Sequence, residues 1–223
     1  TKMKKFVDVI IPRGGKSLVK KVQAKSNIPT IGHLEGVCHS YVDKDANAKI
    51  AKEVILNAKL RNTSICGATE TILLHEKILK KIGNLVLKNL EMNGCKIIGD
   101  SKIRKFYSYK IKKASINDWY KEYLSPIVSV KSVKNLGEAI SHINKYGTMH
   151  TDCIITQNKK SAQKFLNEVK SSIAMHNTST QFADGHEFGF GGEVGISTNT
   201  LPPRGPVGLK QLVSYKYQVT SKG

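Results

Sequence analysis

Cys66 sits at the centre of the stretch Arg61 to His75, among the small or polar residues Thr63, Ser64, Gly67 and Ala68. An amphipathic run precedes it and the apolar run Ile72-Leu73-Leu74 follows. That spacing puts a thiol on a tight connection between two regular elements, with a flexible glycine beside it. A reacting sulfur needs such a place, with free backbone N–H groups near and little bulk in the way. The competing reading is a buried cysteine acting as a small hydrophobe. A single cysteine without a motif favours that second reading.

The remaining cysteines, Cys38, Cys95 and Cys153, are widely spread and none forms a C-x-x-C pair. No metal is therefore expected, and the thiols read as reduced, in a cytosolic setting. His33, Cys38 and His39 lie close in sequence, but adjacent strand residues point to opposite faces, so Cys38 and His39 do not converge. The 223 residues are 39% apolar, enough for a sizeable globular core. No run is long enough to span a bilayer. The formal charge is +19, yet Arg13, Arg61, Arg104 and Arg204 are the only arginines and lysine supplies the other 32 basic residues. The lysines are scattered along the chain. Base reading and phosphate clamping favour arginine, so the charge reads as a solvated surface rather than a nucleic-acid face. The first residue is Thr1, which leaves a fragment, a processed product and an unusual start open.

The elements alternate along the chain. Phe6 to Ile11 reads as a buried parallel strand, and Gly14-Gly15 as a turn into a helix or a loop approaching a ligand. Short strands are expected at 27–31 and 37–42. A helix follows, capped by Asp45, with Ile50, Ala51, Val54, Ile55 and Ala58 at helical spacing. A strand at 71–74, a helix over 76–93 ended by Gly94, and a strand at 95–98 come next. Residues 101–118 resist assignment. Strands at 127–130, 152–156 and 173–176 alternate with helices at 135–143 and 161–169. The glycine-rich loop 177–195 reads as functional or disordered. Residues 209–219 read as a terminal strand. This is a three-layer α/β/α pattern with a largely parallel sheet.

Blocks of residues then carry a resemblance. They are Asp8 to Lys16, His33 to Asp43, Asn57 to His75, and Val133 to Ile154 with Tyr146-Gly147-Thr148-Met149-His150-Thr151-Asp152 at its end. The loop agrees in Asn177-Thr178-Ser179, Glu187 to Gly191, Glu193 to Thr198 and Arg204-Gly205-Pro206. Over nearly its whole length the chain resembles gamma-glutamyl phosphate reductase, of the aldehyde dehydrogenase superfamily. The resemblance implies an aldehyde dehydrogenase catalytic-domain-like fold, with Cys66 on the family's nucleophile. It implies attack on an acyl phosphate, a thioester, and reduction by NADPH to glutamate 5-semialdehyde, a proline precursor. Gly67 would help hold the oxyanion; Glu122, Gly14 and Gly15 would face the cofactor. Asn177, Thr178, Ser179 and His150 would bind the substrate. His142 could also position it, or be structural. Aldehyde-oxidising relatives carry a glutamate base in a Glu-Leu-Gly-Gly-Lys block, where Pro12 to Lys16 stand here, which fits phosphate rather than water as the exchanging group.

The same resemblance divides the chain. Residues 1–12 would be the last strand of a cofactor-binding domain otherwise absent from this sequence, 13–206 the catalytic domain, and 207–223 an oligomerisation-type strand. The NADPH site is then incomplete here. The chain is expected to act with a small-molecule substrate, as a homo-oligomer or with a separate cofactor-domain partner. A non-catalytic remnant and half of a split enzyme stand as the alternatives. Gly67 also replaces an asparagine common in the family.

Overall fold

The computed structural model of the chain describes residues 3–108 and 110–223. Thr1 and Lys2, at the head of the 1–12 segment, lie outside them. The centre is a seven-stranded sheet, all of whose neighbouring strands run parallel. The strands are β1 (Cys38–Val42), β2 (Thr69–His75), β3 (Lys96–Gly99), β4 (Lys112–Lys113), β5 (Ile127–Val133), β6 (Thr151–Ile155) and β7 (Ile173–His176). Their order is β4-β3-β5-β2-β1-β6-β7. Helices fill the crossovers: α2 (Ala48–Leu60), α3 (Asn84–Met92), α4 (Ser101–Phe106), α5 (Leu136–Tyr146) and α6 (Lys159–Glu168), after a first helix α1 (Lys16–Lys25).

The central strands are buried on both faces, so they read as continuous apolar runs, and alternate residues sort to opposite layers. Val42, Ile72, Leu74 and Ile155 pack with Ala51, Ile55, Val86 and Leu90 of α2 and α3. Tyr41, Leu73 and Ile154 pack with Ile140, Ile143 and Phe165 of α5 and α6. This is the three-layer α/β/α arrangement expected from the pattern. Each fully buried Leu or Ile contributes roughly 1.5–3 kcal/mol, so the two layers dominate stability. Among the described residues, no helix is long and apolar enough to cross a membrane.

Several local expectations need correction. Asp45 does not cap α2: Asn47 does, accepting from the amides of Lys49 and Ile50, while Asp45 pairs with Lys44 and Asn158. The two candidates lie two residues apart, and only the backbone path selects between them. The helix over 76–93 opens as a 3-10 turn (Glu76–Ile78) and a π turn (Leu79–Gly83) before α3. The segment left unassigned opens with α4, which Asp100 just before it caps through the amide of Ile103. The expected strand at the start reduces to one parallel bridge, Ile10 with Thr30, and Phe6 is exposed. Its apolar residues find no further ladder among the described residues. Likewise the terminal segment forms a 3-10 turn (Leu209–Gln211) and then no regular structure, with Tyr215, Tyr217 and Val219 exposed. A strand is defined by its ladder partner, and none lies beside it among the described residues.

Candidate active site

Cys66 occupies a reverse turn between α2 and β2, closed by the amide of Ala68 on the carbonyl of Ile65 (3.0 Å). The site therefore lies at the amino-terminal edge of the parallel strands. The amides of Cys66 and Gly67 face the sulfur and favour its thiolate. Two close backbone contacts hold this turn. A methyl group on Gly67 would lie 3.2 Å from the carbonyl oxygen of Thr180. One on Gly36 would lie 2.1 Å from the carbonyl oxygen of Cys66. Cys38 Sγ donates to that same carbonyl at 3.1 Å.

A cavity of about 580 Å³ opens over the thiol. Its wall is built from remote segments: Arg13, Gly14, Gly15 and Lys16 at the start of α1, His33, Glu122 and Leu124, and Glu193 to Ile196. Glu122 Oε1 accepts from the Gly36 amide at 2.8 Å, joining the 122 segment to the residue that touches Cys66. His33 Nδ1 lies 2.7 Å from the carbonyl of Ile196. The glycine-rich loop is thus one wall of the cavity, and Glu193 is fixed in it by the Gly185 amide (2.7 Å).

Gly14, Gly15, Glu122, Cys66 and Gly67 come together around one space. His150 does not line that space but stands beside Cys66: ligand atoms of His33, Cys66 and His150 all lie within 4.8 Å of one another. Asn177, Thr178 and Ser179 lie outside the cavity lining. Asn177 has φ 54° and its side-chain amide clasps both the N–H and the carbonyl of Thr156, each at 2.9 Å. Ser179 accepts from the Gln181 amide and starts the 3-10 turn Thr180–Phe182. Gln181 then receives the Asn62 amide and donates to the carbonyl of Ala58, bracing the turn that leads to Cys66. His142 packs among His39, Trp119 and Tyr146. Burial pushes its pKa down to about 2.

The electrostatics of the thiol are set by burial first, then by the carboxylates of Glu122 and Glu193, which together push Cys66 up to about 11 against the pull of its amides. His150 is held neutral, near 3, by burial and then by His33. Below pH 11 the thiolate fraction rises with pH, so iodoacetamide should label Cys66 about tenfold faster per pH unit between pH 7 and 10. Glu122→Gln keeps the acceptor for Gly36 but removes the charge. It should raise the labelling rate at pH 8 several-fold, read by intact-protein mass; an unchanged rate would remove Glu122 from the thiol's electrostatics. Cys38, Cys95 and Cys153 are buried and should label later than Cys66 in the wild-type chain.

Comparison with known proteins bears on this geometry. A family model for the aldehyde dehydrogenase family matches residues 113–215. A gamma-glutamyl phosphate reductase of Parvibaculum lavamentivorans is 49% identical over 97% of this chain and 51% of its own length. A crystal structure of gamma-glutamyl phosphate reductase from Thermotoga maritima superposes with a TM-score of 0.93 at 39% identity, over 98% of this chain and 54% of that one. The chain is a homologue of the gamma-glutamyl phosphate reductases. It spans about half the length of the curated relatives it matches. An acetylating aldehyde dehydrogenase from Geobacillus thermoglucosidasius shares the fold at 19% identity, with a TM-score of 0.71 over 98% of this chain and 59% of that one. Of the blocks that carry the resemblance, residues 12–16, 33–34, 64–67 and 193–196 wall the cavity over Cys66.

Proposed function

We propose that this chain carries the acyl-transfer machinery of an NADPH-dependent gamma-glutamyl phosphate reductase, forming glutamate 5-semialdehyde in proline biosynthesis in the cytoplasm. The observation that carries the proposal is the convergence of Gly14, Gly15 and Glu122 on the cavity that opens over Cys66 and its own amides. Residues 13–206 form the catalytic domain in this reading. Cys66 Sγ attacks the acyl carbon, the carbon–oxygen bond to phosphate breaks, and phosphate leaves with the electron pair. The thiol proton passes to solvent or to the departing phosphate. A thiolate is both a strong nucleophile and a fair leaving group, so one hard displacement becomes two easier ones. The N–H groups of Cys66 and Gly67, which face the sulfur in the free chain, would donate to the oxygen on which charge develops. Arg13 and Lys16 on the cavity wall supply positive charge for the anionic substrate. His150, buried and neutral beside Cys66, would contact the substrate, and Asn177, Thr178 and Ser179, outside the cavity lining, would reach it by moving toward Cys66.

The nicotinamide end of NADPH fits the Gly14–Gly15 wall: a methyl group on Gly15 would meet no atom within 4 Å, so the backbone there is open to close approach. NADPH would supply the hydride that reduces the thioester. Gly14, Gly15 and Glu122 would hold that end of the cofactor. In this reading the chain acylates alone but needs a complementary cofactor half or a homo-oligomer for the full reaction. Burial and the carboxylates of Glu122 and Glu193 raise the thiol to about 11, and the amides of Cys66 and Gly67 oppose that rise. Exposed Tyr215, Tyr217 and Val219, within 207–223, are our choice for the partner face.

The test is acylation in isolation. Purified chain at pH 9 is mixed with acetyl phosphate, and intact mass is followed. The expected result is one acyl adduct on the Cys66 peptide, removed by hydroxylamine and absent from Cys66→Ser. An adduct of equal yield in Cys66→Ser, or none in the wild type, sinks the proposal and leaves the non-catalytic remnant.

A further inference from the structure

The acyl-transfer step gives the two imidazoles beside Cys66 no bond to make or break. His33 precedes β1, Cys66 precedes β2 and His150 precedes β6, so three separate connections deliver them to one point at the amino-terminal edge of the sheet. Their ligand atoms lie within 4.8 Å of one another. His33 has Nδ1 engaged by the carbonyl of Ile196 at 2.7 Å. A carbonyl can only accept, so Nδ1 carries the hydrogen and the Nε2 lone pair is left free. His150 has Nδ1 2.9 Å from Thr151 Oγ1 and 3.5 Å from Cys38 Sγ. Its Nε2 is buried and has no hydrogen-bond partner among the described residues. An orphaned ring nitrogen at full burial is costly and calls for an occupant.

We propose that His33, Cys66 and His150 form a three-ligand site for a borderline-soft divalent cation of the zinc type, whose binding caps the nucleophile reversibly. The donor set of one thiolate and two imidazoles suits that cation, and three protein ligands leave the fourth tetrahedral position open. Each imidazole has its other nitrogen held by an outer group, as metal-bound histidines usually do. Glu122 and Glu193 face the sulfur, so an entering cation meets negative charge. The ligands must draw in slightly from their present spacing. His33 is half-buried in an irregular segment and is held through Nδ1 alone, so its ring can tilt Nε2 toward the sulfur. Coordination replaces the Cys66 S–H bond by a sulfur–metal bond and releases one proton to solvent. Nothing is oxidised or reduced.

The experiment needs no enzymatic activity, and so separates this proposal from the reductase reading. The full chain is titrated with Co²⁺ and the thiolate-to-cobalt charge-transfer band is recorded. Zn²⁺ is then added in competition with a chromophoric chelator. The expected result is one metal per chain, a charge-transfer band in the wild type that is absent in Cys66→Ser, and at least about tenfold weaker Zn²⁺ binding in His33→Gln. Zn²⁺ should also protect Cys66 from iodoacetamide, with EDTA restoring the rate. Absence of the band in the wild type, or equal Zn²⁺ affinity in wild type and Cys66→Ser, overturns the site. Because His150 is fully buried and its replacement risks the fold, Cys66 and His33, both only half-buried, carry the test, with near-ultraviolet circular dichroism checking each variant. If His33→Gln is misfolded, the cobalt band and the Cys66→Ser comparison decide the matter alone.

Discussion

Gly36→Ala is expected to slow both acylation and alkylation of Cys66 about a hundredfold, and to destabilise the chain by roughly 1–3 kcal/mol. The added methyl would stand 2.1 Å from the Cys66 carbonyl oxygen, 2.7 Å from its carbon and 2.8 Å from its Cα. These are backbone atoms, so no side-chain rotation relieves the clash. Gly36 cannot retreat freely. Its amide is held by Glu122 Oε1, the next amide, of Val37, is held by Thr148 Oγ1 at 3.0 Å, and β1 begins two residues on. The turn bearing Cys66 must therefore shift, and reacting atoms displaced by about 1 Å lose about a hundredfold in rate. Intact-mass kinetics with acetyl phosphate and iodoacetamide read the first effect, and urea unfolding reads the second. Gly192→Ala is the control, since a methyl there meets nothing within 4 Å and its backbone is unstrained. Equal Cys66 rates in the two variants would show that the 36–66 contact does not position the thiol.

Lys59→Met should cost about 3–5 kcal/mol, because it leaves a buried carboxylate without its partner. Lys59 Nζ and Glu70 Oε2 lie 2.5 Å apart with both side chains at 0% exposure. Lys59 is on α2 and Glu70 on β2, so the pair brackets the Cys66 turn. Glu70 Oε1 also accepts the Leu124 amide at 3.3 Å, linking the pair to the segment that carries Glu122. Burial lifts Glu70 to about 7, with Lys59 and two backbone amides opposing the rise. A carboxyl whose folded pKa exceeds its unfolded value binds more protons when folded, so stability falls as pH rises from about 4.5 to about 7. Without Lys59 that rise is steeper, and the loss in Lys59→Met should be greater at pH 8 than at pH 5. The double variant Lys59→Met/Glu70→Leu removes both charges and should recover most of the deficit. Paired urea curves for the three chains check this. A single variant within 1 kcal/mol of wild type at pH 8 would remove the pair from the list of structural determinants.

The alternation of strands and helices was legible because each element has its own period. Ile72 and Leu74 face one layer and Leu73 the other, which a buried parallel strand dictates. Asn135 was legible as a cap, since an Asx residue before an amphipathic run can satisfy the amide of Glu138. Asp45 and Asn47 offered the same chemistry two residues apart, and the path of the backbone chose Asn47. The ends were less legible, because the 6–11 and 209–219 runs have strand composition without a ladder among the described residues.

The sequence by itself determined that Cys66 lies on a small-residue turn between α2 and β2, because glycine, short polar residues and flanking periodicity are local properties. It also determined, through extended blocks of similar residues, which family of reductases the chain resembles. Only the tertiary structure decided what surrounds that thiol. Gly36, His33, His150, Glu122 and Glu193 are distant in sequence, and strand order brings them within reach of one sulfur. The same packing draws Asn177 away to hold Thr156. Spacing along a chain fixes which residues share an element; the register of a parallel sheet, set by burial on both faces, fixes which elements share a site.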